Sequence, residues 1–335
     1  MSVNRQVTLA ARPRGVPKES DFEVIEAPVP EPRHGEVLVR TLWLSLDPYQ
    51  RGRMNDTKSY ASSVRIGQPM VAGGVGRVEK SLSDAFAEGD IVEGYLGWQD
   101  YARAPGTALR KVDPELAPIQ TASGVLGMPG LTAYFGLLEI GRPRPGDTVV
   151  VSAASGAVGA VVGQIAKIMG CRVVGTAGSD AKVAYITDEL GFDVGINYKT
   201  EDIGAAIAAA CPSGIDVYFD NVGGAVTDAV LANLADRARV AICGQISQYN
   251  LEGSELGPRN LRFLLVHQAK MEGFLVFQFA SRYEQGRRRL AQWIRDGRLK
   301  YKEHVIEGLE AAPRAFIGLM NGENFGKLLI KVADG

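Results

Sequence analysis

The stretch Thr148-Val-Val-Val-Ser-Ala-Ala-Ser-Gly-Ala-Val-Gly-Ala-Val-Val-Gly-Gln-Ile-Ala-Lys-Ile-Met-Gly170 decides the fold. It opens with an apolar run of strand length, Thr148 to Val151, and passes through a turn of small residues, Ser152 to Gly156. Apolar side chains then recur at Val158, Val161, Val162, Ile165 and Met169, the spacing of one helix face. Within it, Ala153-x-x-Gly156-x-x-Gly159, with Gly163 a turn later, is a variant of the glycine-rich dinucleotide fingerprint with alanine at its first position. Small residues are needed there because backbone must approach a pyrophosphate closely. The helix N-terminus then offers unpaired N–H groups and a positive dipole end to the phosphates. A tightly packed strand-to-helix turn with no ligand would use the same residues, but strand, glycine turn and helix in this order favour the dinucleotide site. Gly156, Ala157, Val158 and Gly159 are its expected floor.

Working outward, 335 residues exceed one ordinary core and suggest two domains. Hydrophobic residues make up 46% and charged residues 22%, as in soluble globular proteins. A net charge of −1 gives no electrostatic case for nucleic acid or an anionic membrane. No apolar run reaches membrane-spanning length and the N-terminus lacks a signal-peptide core, so a cytoplasmic protein is expected. The three cysteines, Cys171, Cys211 and Cys243, form no C-x-x-C pair, and the three histidines are equally scattered. No metal site is expected.

Residues 1–127 read as β-rich. Strand-like runs at Phe22–Glu26, Glu36–Leu46, Met70–Val78, Asp90–Tyr95 and Trp98–Ala104 are punctuated by Pro and Gly, which suggests a barrel or sandwich. Gly73-Gly74-Val75-Gly76 falls inside a strand and marks a bend or close approach. In Leu46-Asp47-Pro48-Tyr49-Gln50-Arg51, either Tyr49 and Arg51 line a cleft, or Asp47 caps the following turn and Tyr49 packs. After a helix at Met128–Glu139, strands and helices alternate through residue 299. The strands are Arg172–Thr176, Val194–Asn197, Ile215–Asp220, Arg239–Cys243 and Lys270–Val276. The helices are Asp180–Leu190, Asp202–Ala210, Ala225–Leu234 and Arg282–Arg295. Such alternation specifies a doubly wound parallel sheet. The tail, residues 300–335, adds a helix at Leu309–Met320 and a strand at Lys327–Val332. Lying outside the alternating run, it is expected to complete the first domain.

In a dinucleotide unit an acid about 20 residues past the glycines holds the ribose 2′-OH of NAD. Here the second strand ends Val174-Gly175-Thr176-Ala177-Gly178-Ser179-Asp180-Ala181-Lys182, with no acid at the strand end itself. Ser179 and Lys182 offer donors and charge to a 2′-phosphate instead, and Tyr198 can sit over the same place. The reading favours NADP(H), with Asp180 as the helix cap. Two later turns, Asp220–Gly224 and Cys243–Asn250, also leave strand ends, where ligands of parallel sheets bind. They let Asn221 and the Gly244 backbone face the cofactor, with the Tyr249 hydroxyl beside the nicotinamide.

These residues carry a family likeness. The chain resembles the medium-chain dehydrogenase/reductases, in the zinc-free branch of prostaglandin reductases, plant alkenal double-bond reductases and bacterial curcumin reductases. The matching pieces are Asp47-Pro48-Tyr49-Gln50-Arg51, Met128-Pro129-Gly130-Leu131-Thr132-Ala133-Tyr134, Ala153–Gly159, Gly178-Ser179-Asp180-x-Lys182 and Asn197-Tyr198-Lys199. They continue through Phe219–Gly224, Cys243–Ser247, Gly273-Phe274 and Asn324-Phe325-Gly326-Lys327. The resemblance implies a GroES-like β-rich domain built from both chain ends around a Rossmann domain at 128–299. It adds Cys243, Ser247, Phe274, Leu275, Val276 and Asn324 to the NADP(H) contacts, and implies no metal and a homodimer. Gln50 stands where several relatives carry methionine, so the substrate does not transfer.

The implied reaction is reduction of the C=C bond of an α,β-unsaturated ketone or aldehyde. Hydride goes to the β-carbon while charge moves to the carbonyl oxygen. The cofactor carries the hard step, which suits a chain with no triad or carboxylate pair. Tyr249 is the candidate hydroxyl for the enolate, or a group that only positions the cofactor, and Tyr49 is a candidate cleft residue. A quinone reductase of the same superfamily and a non-catalytic nucleotide-binding protein are the alternatives.

Overall fold

The computed structural model describes residues 3–258 and 260–334. The chain divides into two compact units, Met1–Gly124 with Glu303–Gly335, and Val125–Lys302.

The first unit begins with β1 (Val3–Leu9) and β2 (Phe22–Pro28), which pair antiparallel. Then come β3 (Glu36–Ser45), the short helix α1 (Tyr49–Arg53), β4 (Gly73–Ser81), β5 (Ile91–Tyr95), β6 (Tyr101–Pro105) and β7 (Arg110–Lys111). β3 is the backbone of this unit. It pairs antiparallel with β4 and β6, and Val37, Val39, Leu42 and Leu44 along it are buried. Glycines let β4 lie close. A Cβ on Gly74 would stand 2.6 Å from the Trp43 carbonyl oxygen, and one on Gly76 2.4 Å from that of Arg40. The core beneath is fixed by aromatic packing of Phe22 with Trp98 (5.5 Å, stacked) and of Phe316 edge-on to both.

The second unit opens with α2 (Met128–Phe135) and continues with β8 (Thr148–Val151), α3 (Gly159–Ile168), β9 (Arg172–Ala177), α4 (Asp180–Ala184), β10 (Val194–Asn197) and α5 (Ile203–Ala210). It ends with β11 (Ile215–Asp220), α6 (Gly224–Leu231), β12 (Leu234–Ile242), α7 (Arg262–Val266), β13 (Lys270–Gly273) and α8 (Tyr283–Arg295). The strands form one parallel sheet in the order β10-β9-β8-β11-β12-β13. This is the Rossmann order, in which the winding reverses between β8 and β11. Val149, Val150 and Val151 are wholly buried. A strand covered on both faces reads as an unbroken apolar run, and each such side chain contributes about 1.5–3 kcal/mol. Gly163 lets α3 close onto Phe192, whose ring a Cβ would meet at 1.8 Å.

The first unit then resumes with β14 (Glu303–Glu307), α9 (Ala312–Met320) and β15 (Lys327–Lys331). β15 pairs antiparallel with β3 and parallel with β14. The tail strand thus lies in the first unit's seven-stranded sheet.

Several elements differ from the sequence reading. The helices expected at 128–139 and 180–190 turn π-helical over Gly136–Gly141 and Tyr185–Glu189. In the first, Gly136 has Phe274 and Phe219 where a Cβ would be. β12 starts at Leu234, where a helix end was expected, because its first half is polar and reads as surface. β13 stops at Gly273, and the chain then makes a 3₁₀ turn over Val276–Arg282. Strands β1 and β14 and helix α7 were not read at all.

Candidate functional site

In the second unit the turn after β8 fits a phosphate cradle. Ala153 adopts φ 50°, a left-handed conformation that costs a non-glycine residue about 1–2 kcal/mol. Its carbonyl accepts from Gly156 N–H (3.0 Å), closing the turn. A Cβ on Gly159 would lie 2.4 Å from that same carbonyl oxygen, so only glycine lets α3 begin this close to the strand. A Cβ on Gly156 would meet the same oxygen at 3.2 Å, a tight contact, so a small residue suits this position as well.

The turn after β11 is organised by Asp220, which is fully buried. Its Oδ1 accepts from the Val222 and Gly223 amides (2.9 Å each), Tyr218 Oη (2.9 Å) and Ser152 Oγ (3.3 Å), and its Oδ2 from Thr227 Oγ1 (2.7 Å). With five donors the carboxylate is satisfied internally and is not available as a base. Burial, followed by the Asp220 charge, pushes the Tyr218 phenol well above its usual range. Asn221 is locked to the first turn: its amide N–H donates to Ser152 Oγ and its side-chain Nδ2 to the Ser152 carbonyl, both at 2.8 Å. The turn after β12 is tied on in the same way. Cys243 and Gly244 donate to the Asp220 carbonyl (2.8 and 3.1 Å), and Ser247 Oγ donates to the Val222 carbonyl (2.7 Å).

Tyr249 folds back over this turn. Its hydroxyl oxygen accepts from Gln245 N–H (3.3 Å) and stands 3.2 Å from where a Gly244 Cβ would be. Burial raises the phenol's pKa, so it is protonated near neutrality and keeps its own proton to donate. Burial, then the Asp220 charge, pushes the Cys243 thiol up to about 12, which makes it a packing residue and not a nucleophile.

At the end of β9, Ser179 is the N-cap of α4, accepting from Lys182 N–H. This corrects the expectation that Asp180 caps: Asp180 is the first helical residue, and its carboxylate accepts from Asn197 Nδ2 (2.7 Å). The serine precedes the turn and meets the amide directly, which leaves the acid turned to Asn197. A Cβ on Gly178 would meet Tyr198 Oη at 2.9 Å and Lys199 Cε at 3.3 Å. Lys182 and Lys199 are close enough that, after burial, their repulsion lowers the Lys182 pKa. Two cations, a phenol and a serine therefore gather at one strand end.

The structure thus brings together Gly156–Gly159 with Asn221, Cys243, Gly244, Ser247 and Tyr249, and separately Ser179, Lys182 and Tyr198. Phe274 is different. Its ring is buried edge-on to Phe219 (6.0 Å), so the side chain packs inside the unit and offers a ligand no ring face. Leu275 beside it is exposed and Val276 is buried.

Tyr49 and Asn324 lie in the first unit. Asp47 does not cap α1: Lys327 Nζ donates to Asp47 Oδ1 (2.9 Å) and to the Leu46 carbonyl (2.7 Å), while Ser45 donates to Asp47 Oδ2. A buried ammonium outcompetes a helix terminus for that carboxylate. Gln50 completes the corner, accepting from Asp47 N–H (3.2 Å) and donating to the Ser45 carbonyl (2.9 Å). Tyr49 packs beside it, its phenol pushed well above the usual range by burial and then by Asp47. Asn324 donates to the Gly326 carbonyl (2.9 Å), shaping the turn that delivers Lys327. Sequence reasoning did not assign Asp220, Ser152, Lys199 or Lys327 a role. An acid closing an apolar strand before Asn-Val-Gly-Gly was the available signal for Asp220.

A family profile described as the N-terminal domain of oxidoreductase matches residues 5–112, and one described as zinc-binding dehydrogenase matches residues 157–292. Among the described residues no three His, Cys, Asp or Glu side chains are grouped to hold a metal ion. The chain is 52% identical over 333 residues to the NADP-dependent oxidoreductase YfmJ of Bacillus subtilis, covering 98% of each. It is 46% identical to the NADPH-dependent curcumin reductase of Escherichia coli, covering 98% of this chain and 97% of that one. The crystal structure of CurA from Vibrio vulnificus in complex with NADPH superposes with a TM-score of 0.95 at 46% identity, covering 99% of this chain and all (100%) of the other. The chain belongs to the medium-chain dehydrogenase/reductase family, in the branch that holds curcumin, 2-alkenal and prostaglandin reductases.

Proposed function

We infer that the protein is an NADPH-dependent oxidoreductase that reduces the C=C bond of α,β-unsaturated ketones and aldehydes. The observation that carries this reading is the likeness, over nearly the full length of both chains, to reductases named for such substrates. The site is consistent with it. The tight glycine turn and the close start of α3 suit a pyrophosphate, and Ser179, Lys182, Tyr198 and Lys199 suit a 2′-phosphate, so the residues present fit NADP(H).

When bound, NADPH supplies the hydride that adds to the β-carbon. Gly156–Gly159 and the Lys182 corner would hold the two phosphate ends. Asn221, Gly244, Ser247 and the Phe274–Val276 backbone would hold the nicotinamide end. The Asp220 network keeps the β11 and β12 turns rigid, so donors need no reorganisation as charge develops. Tyr249, protonated and already accepting from Gln245 N–H, would donate to the enolate oxygen or to the group that positions it. The reaction requires no metal.

NADPH consumption against a medium-chain enone and a quinone tests the reading. It expects turnover with the enone and a saturated ketone as product. Turnover with the quinone alone would favour a quinone reductase, and NADPH binding with no acceptor reduced would favour a non-catalytic role. We also take the enzyme to be a cytoplasmic homodimer. No helix among the described residues is long and apolar enough to cross a membrane. β13 leaves an open sheet edge near exposed Leu261, Leu265 and Phe277. A solution mass of one chain would refute the dimer.

A further inference from the structure

Asp220 is a buried charge without a counter-charge. It ends β11, beside the point where the winding of the parallel sheet reverses, and it is fully buried. All five groups that donate to it are neutral: the Val222 and Gly223 amides and the hydroxyls of Tyr218, Ser152 and Thr227. None of the ion pairs among the described residues includes it. Dipoles stand in for water around the carboxylate, and no cation cancels its field. An isolated buried charge is costly, and this one sits at a strand end in the crevice where parallel sheets bind their ligands.

Its position relative to the second unit's turns is fixed. Asn221 follows it in the chain, and its own backbone carbonyl accepts from the Cys243 and Gly244 amides (2.8 and 3.1 Å). The field reaches the side chains of those turns. After burial, the Asp220 charge pushes the Cys243 thiol up, and behind burial and Cys243 it adds to the rise of the Tyr249 phenol. A field that opposes new negative charge at this place favours new positive charge there. It also makes an enolate left as an anion unfavourable, which suits a protonated partner such as Tyr249.

We propose that the Asp220 carboxylate biases the bound cofactor towards its oxidised form, stabilising the positive charge that the nicotinamide ring acquires as hydride leaves. In that step NADPH is oxidised to NADP⁺, and the enone gains the hydride on its β-carbon and a proton from water on its α-carbon. The proposal rests on the cofactor reading above, with the nicotinamide end at Asn221 and Gly244.

Asp220→Asn tests it with little change of shape. The amide oxygen can keep the four donors of Oδ1, and Thr227 can turn its hydroxyl to accept from the new NH₂ group. NADPH affinity is read from its fluorescence and NADP⁺ affinity by competition. The ratio of Kd for NADP⁺ to Kd for NADPH should rise about tenfold in Asp220→Asn, through NADP⁺ alone, equivalent to about 30 mV in the potential of the bound couple. Thr227→Val removes a neutral partner and keeps the charge, so its ratio should stay within about twofold of the wild type. Should Asp220→Asn not fold, Thr227→Lys, which brings an ammonium to the Oδ2 side, should raise the ratio in the same direction. An unchanged ratio in the folded variant, or an equal rise in Thr227→Val, would overturn the proposal. A wild type that binds neither form of the cofactor would instead refute the cofactor reading, and the proposal with it.

Discussion

Replacing Lys182 with alanine should turn the enzyme from NADPH towards NADH. Lys182 follows the Ser179 cap by three residues, and it is half-buried beside Lys199 and the Tyr198 phenol. A charge-assisted hydrogen bond to a phosphate contributes about 1.5–3 kcal/mol, and each 1.4 kcal/mol is a factor of ten. Because Lys182 is partly solvated and Lys199 remains, the lower part of that range applies, an expected loss of about 10–30-fold in NADPH affinity. NADH, which lacks the 2′-phosphate, should bind Lys182→Ala as well as the wild type, or slightly better through relief of the repulsion with Lys199. The pH dependence has a definite sign. Burial and Lys199 lower the pKa of the free lysine, and a bound dianion raises it, so binding takes up protons and NADPH affinity falls as pH rises through the free-enzyme value. Titration of both cofactors by fluorescence, at low and high salt, measures all of this. An unchanged NADPH-to-NADH ratio in Lys182→Ala would refute the placement of the 2′-phosphate.

Two further outcomes follow from the buried groups. Lys327→Met leaves Asp47 buried without its cation and should lower stability by about 3–5 kcal/mol in denaturant unfolding, with most of the loss recovered when Asp47→Asn is added; a Lys327→Met midpoint equal to that of the wild type would show that the pair contributes nothing. Tyr249→Phe should cost about 10²–10³ in kcat on an enone if its hydroxyl meets the enolate, but only about tenfold if it positions the cofactor, and unchanged turnover would remove it from the site.

The sequence was legible where physics is local. Thr148–Gly170 announced its strand, turn and helix because burial on both faces demands an apolar strand and a close helix start demands glycine. The alternation that follows specified a parallel sheet. What escaped was non-local or polar. Lys327 finds Asp47 across nearly the whole chain, and no spacing rule predicts such a pair. β14, Glu-His-Val-Ile-Glu, is half-exposed and carries no strong periodicity. β12 was read short because Asp236 and Arg237 make its first half polar. The cap of α4 was assigned one residue late because Ser179 and Asp180 are both good capping residues, and only the fold decides which side chain meets the amide.

The destination of the hydride separates C=C reduction from carbonyl reduction. NADPH carrying deuterium at C4 of the nicotinamide should be incubated with the enzyme and a medium-chain enone, and the product read by NMR. A saturated ketone with a single deuterium on the β-carbon is the predicted result. Deuterium on the carbonyl carbon of an allylic alcohol, or an enone returned unlabelled, would contradict it.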